Sequence, residues 1–424
     1  MSADAPGEAI LTRWAESGLM SLTGEPEGPV DASPAFAYAA FADELGRLVG
    51  RLGLPPGDAL RDPAIVLAGR ARENGFARGG RVSAGGATRL IRGRDGWGAL
   101  SLARDSDREL VPALLGAELG EREPWLAVAA AARRSVGELV ERAAMLGLPA
   151  ATLGEAGPPA VRTKPIAPAE TRSLRGALVV DLSALWAGPL STALLAAGGA
   201  RVVKVEFAGR PDGARRGNAR FFDWLGHGKL ACEISGDADG EALLARLIDA
   251  ADIVIEASRP RALRQRGLAF DQRRNRAGKI WVRITGHGAE GPAQHRVAFG
   301  DDAAVAGGLV GRGAAGDPVF AGDAIADPLT GVRVAGEVVA ALDAGGGTLV
   351  DVSLSGVAAE YAARAREEAP PHSVERSDGG WRLRFPGGAA VAVADPPRIP
   401  VSPPARPVGA DTATIRALLD APEP

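Results

Sequence analysis

From residue 174 onward the chain alternates short β-branched runs with longer segments of helical spacing, and no other feature narrows its fold so far. A strand that follows its predecessor through a helix must lie parallel to it, with a right-handed crossover. The runs are Ala177–Leu182, Arg201–Glu206, Leu230–Ile234, Ile253–Glu256, Ile280–Thr285 and Leu349–Leu354, with helices predicted at Gly240–Ala250, Asp301–Val310 and Leu329–Leu342. The expected fold class is therefore α/β, a doubly wound, Rossmann-like large domain over residues 174–366. Within it the uncharged stretch Leu182–Ala200 is long enough to imitate a membrane span, but Gly188-Pro189 and Gly198-Gly199 interrupt it. It reads as a turn and a buried helix, with Pro189 in the first turn and the glycines as the stop.

Residues 1–154 are expected as a smaller α+β domain. Amphipathic patterns lie at Ala35–Gly50, Asp107–Leu115 and Leu126–Leu146, and Thr88–Arg92 and Trp97–Ala103 read as strands joined by a Gly93-Arg94-Asp95-Gly96 turn. The glycine-rich piece Gly79–Gly86 just before them should be mobile. Residues 155–173 lack apolar periodicity and hold four prolines, which suits a linker. The tail, 367–424, is rich in proline, with a hairpin expected at Trp381–Phe385 and Ala389–Val393 and a helix at Thr412–Leu419. A short internal echo links Ser17–Pro26 to Gly307–Pro318.

Charge and composition exclude several functions. Forty-nine basic against 52 acidic residues leave a net charge of −3, so nothing draws the whole chain to nucleic acid or an anionic membrane. One cysteine, Cys232, cannot form an intramolecular disulfide, and four scattered histidines have no metal-ligand spacing. With no basic segment leading an apolar one at the N-terminus, a cytoplasmic location is expected.

Ligands of open α/β sheets sit outside the carboxyl ends of the strands. The first such turn, Ala184–Leu190, is either a phosphate-binding helix N-terminus or simply a tight corner, and it lacks the Gly-x-Gly-x-x-Gly fingerprint of dinucleotide enzymes. After the second strand, Arg210, Arg215, Arg216 and Arg220 share one loop, with Lys229 beyond it; a polyphosphate grip and a solvated loop both fit. Arg259, Arg261, Arg264 and Arg266 form a second cluster. Asp323 and Asp327 precede a helix starting at Pro328 or Leu329, which puts Asp327 at its N-cap. A carboxylate there is either a cap alone or, held ionised by the helix dipole, a nucleophile toward an acyl carbon. No histidine relay and no Gly-x-Ser-x-Gly elbow is present.

Leu174–Ser183, Ala187-Gly188-Pro189, Gly199–Glu206, Gly228-Lys229, Ala251–Glu256, Arg259-Pro260, Ile284–Gly288 with Gly291-Pro292, Ala326-Asp327 with Gly331, and Val350–Leu354 resemble, in order, the blocks of class III CoA-transferases. That family is named after carnitine dehydratase and the bile-acid-inducible protein F. The resemblance implies Asp327 as the nucleophile, CoA as co-substrate with no permanently bound cofactor and no metal, and acyl-CoA and carboxylic acid substrates. It places Leu185, Trp186, Ala187, Lys229, Ala257, Ser258 and Arg259 near CoA. Two departures from the family stand out: Phe207 replaces an arginine, and Ala257-Ser258 replaces an Asn-Phe pair. The phosphate contacts are therefore expected from Arg210, Arg215 or Arg216.

Segments resembling the family's small domain precede the large one, as in a circular permutation by fusion of a truncated first copy. Family members form interlocked dimers, so a homodimer is expected, with Gly79–Gly86 reaching toward Asp327 and offering its N–H groups to an oxyanion. Two alternatives remain at this level. An acyl-CoA racemase or isomerase would use Asp301 or His295, although the family's histidine would fall near Phe299 and is absent. A CoA-binding homologue without turnover would fit Phe207 and Ala257.

Overall fold

A computed structural model describes residues 5–120, 122–257, 261–367 and 369–420. Its centre is a seven-stranded sheet in the order Val161–Pro165, Thr348–Ser353, Ile280–Thr285, Ile253–Glu256, Leu178–Leu182, Arg201–Phe207, Leu230–Ile234. All neighbours run parallel except the edge strand Val161–Pro165, which is antiparallel to Thr348–Ser353. The chain winds outward from Leu178–Leu182 to one edge, then returns to its other side at Ile253–Glu256. Those two strands therefore bound the switch point where such sheets bind ligands.

The strands are near-continuous apolar runs because both faces are buried. Alternate residues face opposite layers: Val179, Ile253, Ile255 and Val282 join one core, Val180, Val254 and Trp281 the other. Leu182–Ala200 forms the expected turn and a helix, Ala187–Ala197. No helix among the described residues is long and apolar enough to cross a membrane.

Three expectations about organisation change. Residues 155–173 are not a plain linker, since Val161–Pro165 pairs with the sheet. Its side chains are mostly exposed, so it carries no apolar period, and its proline is tolerated on an edge. The first 154 residues also do not form one domain. Leu11, Trp14, Phe41, Leu45 and Leu67 share a continuous core with Leu190, Leu194 and Val332 of the large domain, whereas Ile91, Leu100, Val128 and Val140 close a separate core around the antiparallel sheet Thr88–Gly93, Gly96–Ser101, Ala150–Thr152. The tail folds as well: Ser373–Ser377 adds a third strand to the expected hairpin, and Leu383, Phe385 and Ile399 enter the main core.

The internal echo has a structural counterpart. A turn closed by the Gly24–Val30 bridge leads to the 18-residue helix Ala35–Leu52, and the hairpin Gly311–Val319 leads to the 18-residue helix Ala326–Asp343. The two turns touch, with Arg312 N donating to Asp31 Oδ2 at 2.9 Å and Gly322 N to Thr23 Oγ1 at 3.1 Å. Where the later helix has Asp327 in second place, the earlier one has Phe36.

Candidate active site

Asp327 is the second residue of the helix Ala326–Asp343, whose N-cap is Ile325. It is not the cap itself, because the helix starts earlier than its proline suggests. Gly331, one turn further on, lets this helix press against the start of Ala187–Ala197. A Cβ there would lie 2.7 Å from the Ala187 carbonyl oxygen and 3.0 Å from Leu190 Cβ. That contact sets Asp327 beside the first turn of the sheet.

Three more carboxylates surround it. The helix Gly300–Gly307 begins with Asp301 and Asp302 on its first turn, Asp302 fully buried and Asp301 partly so, and Asp302 Oδ1 accepts the Phe299 N–H at 3.0 Å. Asp301 Oδ1 accepts from Ala324 N at 2.9 Å; its other oxygen meets Thr88 Oγ1 at 3.4 Å, and the Ser83 hydroxyl also bonds it. Asp323 is buried and gripped by Arg70, with Nε to Oδ2 at 2.8 Å and Nη2 to Oδ1 at 2.6 Å. Between Asp323 and Asp327 the backbone is strained: Ala324 has φ +43°, and its carbonyl accepts the Asp327 N–H at 2.9 Å.

Burial is the main influence on the Asp327 acid and raises it; Arg70 and the Gly300 N–H oppose the rise, Asp301 and Asp323 add to it, and the result is about 7. Some of the residue's surface remains accessible. Burial thus works against the helix dipole that was expected to hold this carboxylate ionised. Burial likewise lifts Asp301 to about 6 and Asp302 well above the usual range. Three buried side-chain atoms without a partner among the described residues, Asp302 Oδ2, Thr330 Oγ1 and Trp186 Nε1, fall on the flanks of this cluster. Each such buried, unpartnered group costs stability, so those beside the cluster call for a role other than stability.

The expected CoA residues divide. Leu185 is strained at φ +70° and partly exposed, with its N–H on Asp212 Oδ1 at 3.0 Å; Trp186 and Ala187 behind it are buried. Arg215 does not face solvent as a free cation. Its Nε and Nη2 grip Glu206 at 2.8 and 2.6 Å, and its guanidinium lies 4.5 Å from the Phe222 ring centroid. Lys229 is buried, donating to Pro189 O at 2.8 Å, Thr192 Oγ1 at 2.6 Å and Asp181 Oδ2 at 3.2 Å. The slot they line holds about 20 Å³, room for a water or two. Arg210 and Arg216 are exposed, and neither side chain has a hydrogen bond or ion pair among the described residues. Ala257 is exposed, while Ser258 and Arg259 lie outside the described residues.

Lys229 is a structural cation. Asp181, which burial alone would push up, is pulled well below the carboxylate range by Lys204 and Lys229, and burial lowers Lys229 itself to about 8. Removing one member of a buried pair strands the other, at about 3–5 kcal/mol. Lys229→Met is expected to lose that much stability in urea unfolding while keeping its CoA affinity where it remains folded; a weaker CoA Kd with unchanged stability would return Lys229 to the ligand.

Gly79–Gly86 does reach the cluster, through Ser83, within the same chain. It is tied down rather than loose: Val82 N bonds Gly79 O, Ser83 N bonds Thr88 O and Phe320 N bonds Gly80 O, at 3.0, 2.9 and 2.9 Å. His295 is exposed without a hydrogen bond among the described residues, and the His287 side chain is buried, lowered to about 4 by burial and then by Arg296. Sequence reasoning missed Arg70, Ser83 and Thr88 as members of this cluster. Arg70 stands 253 positions from its partner Asp323, and nothing local marks it.

Residues 174–380 match the model of the family described as CoA-transferase family III. An acyl-CoA transferase of Fusarium pseudograminearum (strain CS3096) is 32% identical over 212 residues, covering 43% of this chain and 45% of that protein. The succinyl-CoA:glutarate CoA-transferase of Mus musculus is 29% identical over 198 residues, again 43% and 45%. A hypothetical protein of Mycobacterium tuberculosis, known by crystal structure, is 27% identical with a TM-score of 0.44, covering 51% of this chain and 65% of that one. The chain spans less than half the length of the curated relatives it matches.

Proposed function

Through residues 174–380 the chain belongs to CoA-transferase family III, and from that premise we propose that it moves CoA between an acyl-CoA thioester and a carboxylic acid, with Asp327 as nucleophile. The observation that carries this reading is the Asp327 carboxyl at a helix start, beside the switch-point turn, inside a cluster of largely enclosed acids that Arg70 faces.

The Asp327 carboxylate attacks the thioester carbonyl carbon; the C–S bond breaks, CoA leaves as thiolate, and a mixed anhydride remains. The thiolate attacks the aspartyl carbonyl, expelling the donor as its carboxylate and leaving an aspartyl–CoA thioester. An acceptor carboxylate attacks that thioester and again frees the thiolate. The thiolate then takes the acceptor acyl group from the second anhydride and regenerates Asp327. The helix N-terminus favours the negative charge, and we assign the oxyanions to the N–H groups of Ala84 and Gly85 in the pinned loop. With Arg215 and Lys229 occupied, the CoA phosphates are assigned to the exposed Arg210 and Arg216. A homodimer is the proposed assembly, and sedimentation equilibrium decides it.

The test is incubation with a panel of acyl-CoA donors followed by hydroxylamine or borohydride trapping and peptide mapping. Modification at Asp327 is expected; exchange of CoA with no label there would overturn the mechanism. Release of α-deuterium without an acceptor acid would instead favour proton transfer through Asp301.

Only ionised Asp327 is a nucleophile, so kcat/KM should fall tenfold per pH unit below about 7 and level off above it. A flat profile from pH 5.5 to 8.5 would rule out a buried, raised carboxyl as the attacking group.

A further inference from the structure

Arg70 comes from the helix Pro63–Asn74, outside the residues that match the family. Asp62 caps that helix through Oδ1 and the Ala64 N–H at 2.8 Å, and Gly75 at φ +66° ends it. The guanidinium does two things at once. Its Nε and Nη2 hold both oxygens of buried Asp323, and its carbon stands 4.8 Å from the centroid of the buried Trp186 ring, in the first turn of the sheet. Asp323 immediately precedes the strained Ala324, whose carbonyl holds the Asp327 N–H. One side chain thus spans from the turn that receives the thioester to the turn that presents the nucleophile.

We propose that Arg70 is a positioning residue for acyl transfer: by clamping Asp323 and stacking on Trp186 it holds the Asp323–Ile325 turn in register and directs Asp327 toward the seated thioester. The proposal rests on the reading of Asp327 as nucleophile. A planar guanidinium suits both tasks, since it forms a two-pronged bond in its plane and stacks through its face, and a lysine can do neither.

The groups facing Asp327 are Arg70 from the helix Pro63–Asn74, Asp323 from its own turn, and Asp301, Asp302 and the Gly300 N–H from the helix Gly300–Gly307. Ser83 and Thr88 face it only through Asp301. Taking away the cation or its paired anion therefore has opposite signs at Asp327.

The experiment compares Arg70→Gln, Arg70→Lys and Asp323→Asn with the parent by pH profile and by 13C NMR titration of aspartate-labelled protein, with the Asp327 signal assigned by its loss in Asp327→Asn. Arg70→Gln should move the acid limb of kcat/KM and the NMR midpoint up by about one pH unit, and Asp323→Asn should move both down. Arg70→Lys keeps the charge and should leave the midpoint near the parent's, yet lower kcat by about tenfold or more at unchanged KM, as lost orientation does. Shifts of the same sign in Arg70→Gln and Asp323→Asn, no shift in either, or full kcat in Arg70→Lys would overturn the proposal. If Arg70→Gln does not fold, the other two variants decide it. If the parent turns over no acyl-CoA, the transfer reading fails separately, while the NMR midpoints still show whether Arg70 governs Asp327.

Discussion

Asp327→Asn is expected to lower CoA exchange by roughly 10³-fold or more while leaving the fold intact, since the isosteric amide keeps the shape and loses the nucleophile. Stability should move the other way. The folded protein holds the Asp327 proton to about 7 against 3.8 for a free aspartate, so the folded state binds more protons across that window and its stability falls as pH rises through it. Above that window the parent carries a buried charge that the amide does not. The variant should therefore melt a few degrees above the parent at pH 8 and close to it below pH 4. Matched thermal melts at the two pH values, beside an exchange assay, check both halves. Retained exchange, or a variant less stable than the parent at pH 8, would show that Asp327 is not a strained carboxylate kept for chemistry.

Gly300→Ala should be nearly as damaging, although residue 300 carries no functional group. A Cβ at Gly300 would overlap the Ala324 carbonyl oxygen and stand 2.7 Å from Asp327 Oδ2. Backbone cannot yield as a flexible side chain does, so either the strained turn moves or the carboxylate rotates away. A displacement of about 1 Å at a reacting group costs on the order of 10² in rate. The Gly300 N–H that helps hold Asp327 ionised would shift as well. Gly336→Ala is the control: it lies in the helix that carries Asp327, a Cβ there meets nothing within 4 Å, and it should stabilise by about 0.5–1 kcal/mol with kcat unchanged. Equal activity in the two variants would mean that the close packing of the helix Gly300–Gly307 against the nucleophile has no catalytic consequence.

The central parallel strands were legible in the sequence. Ile253–Glu256 and Ile280–Thr285 were legible because strands buried on both faces must be near-continuous apolar runs, and that requirement is local. Asp327 was legible as a candidate because Ala326-Asp327 and Gly331 carry the family pattern, and the structure gives Gly331 a physical reason, the close approach of two helices. Tertiary structure alone decided what each charge does. Arg215, Arg216 and Lys229 look alike in sequence, yet Glu206 claims the first, the second is exposed, and the third is buried against Asp181 and Thr192. The Val161–Pro165 strand was hidden for a related reason, since an exposed edge needs no apolar alternation. Arg70 and Asp323 meet only because two distant segments share one core. A residue's type states its charge, but whether that charge faces water, a carboxylate or a ring depends on long-range contacts, and through them so does the acidity of Asp327.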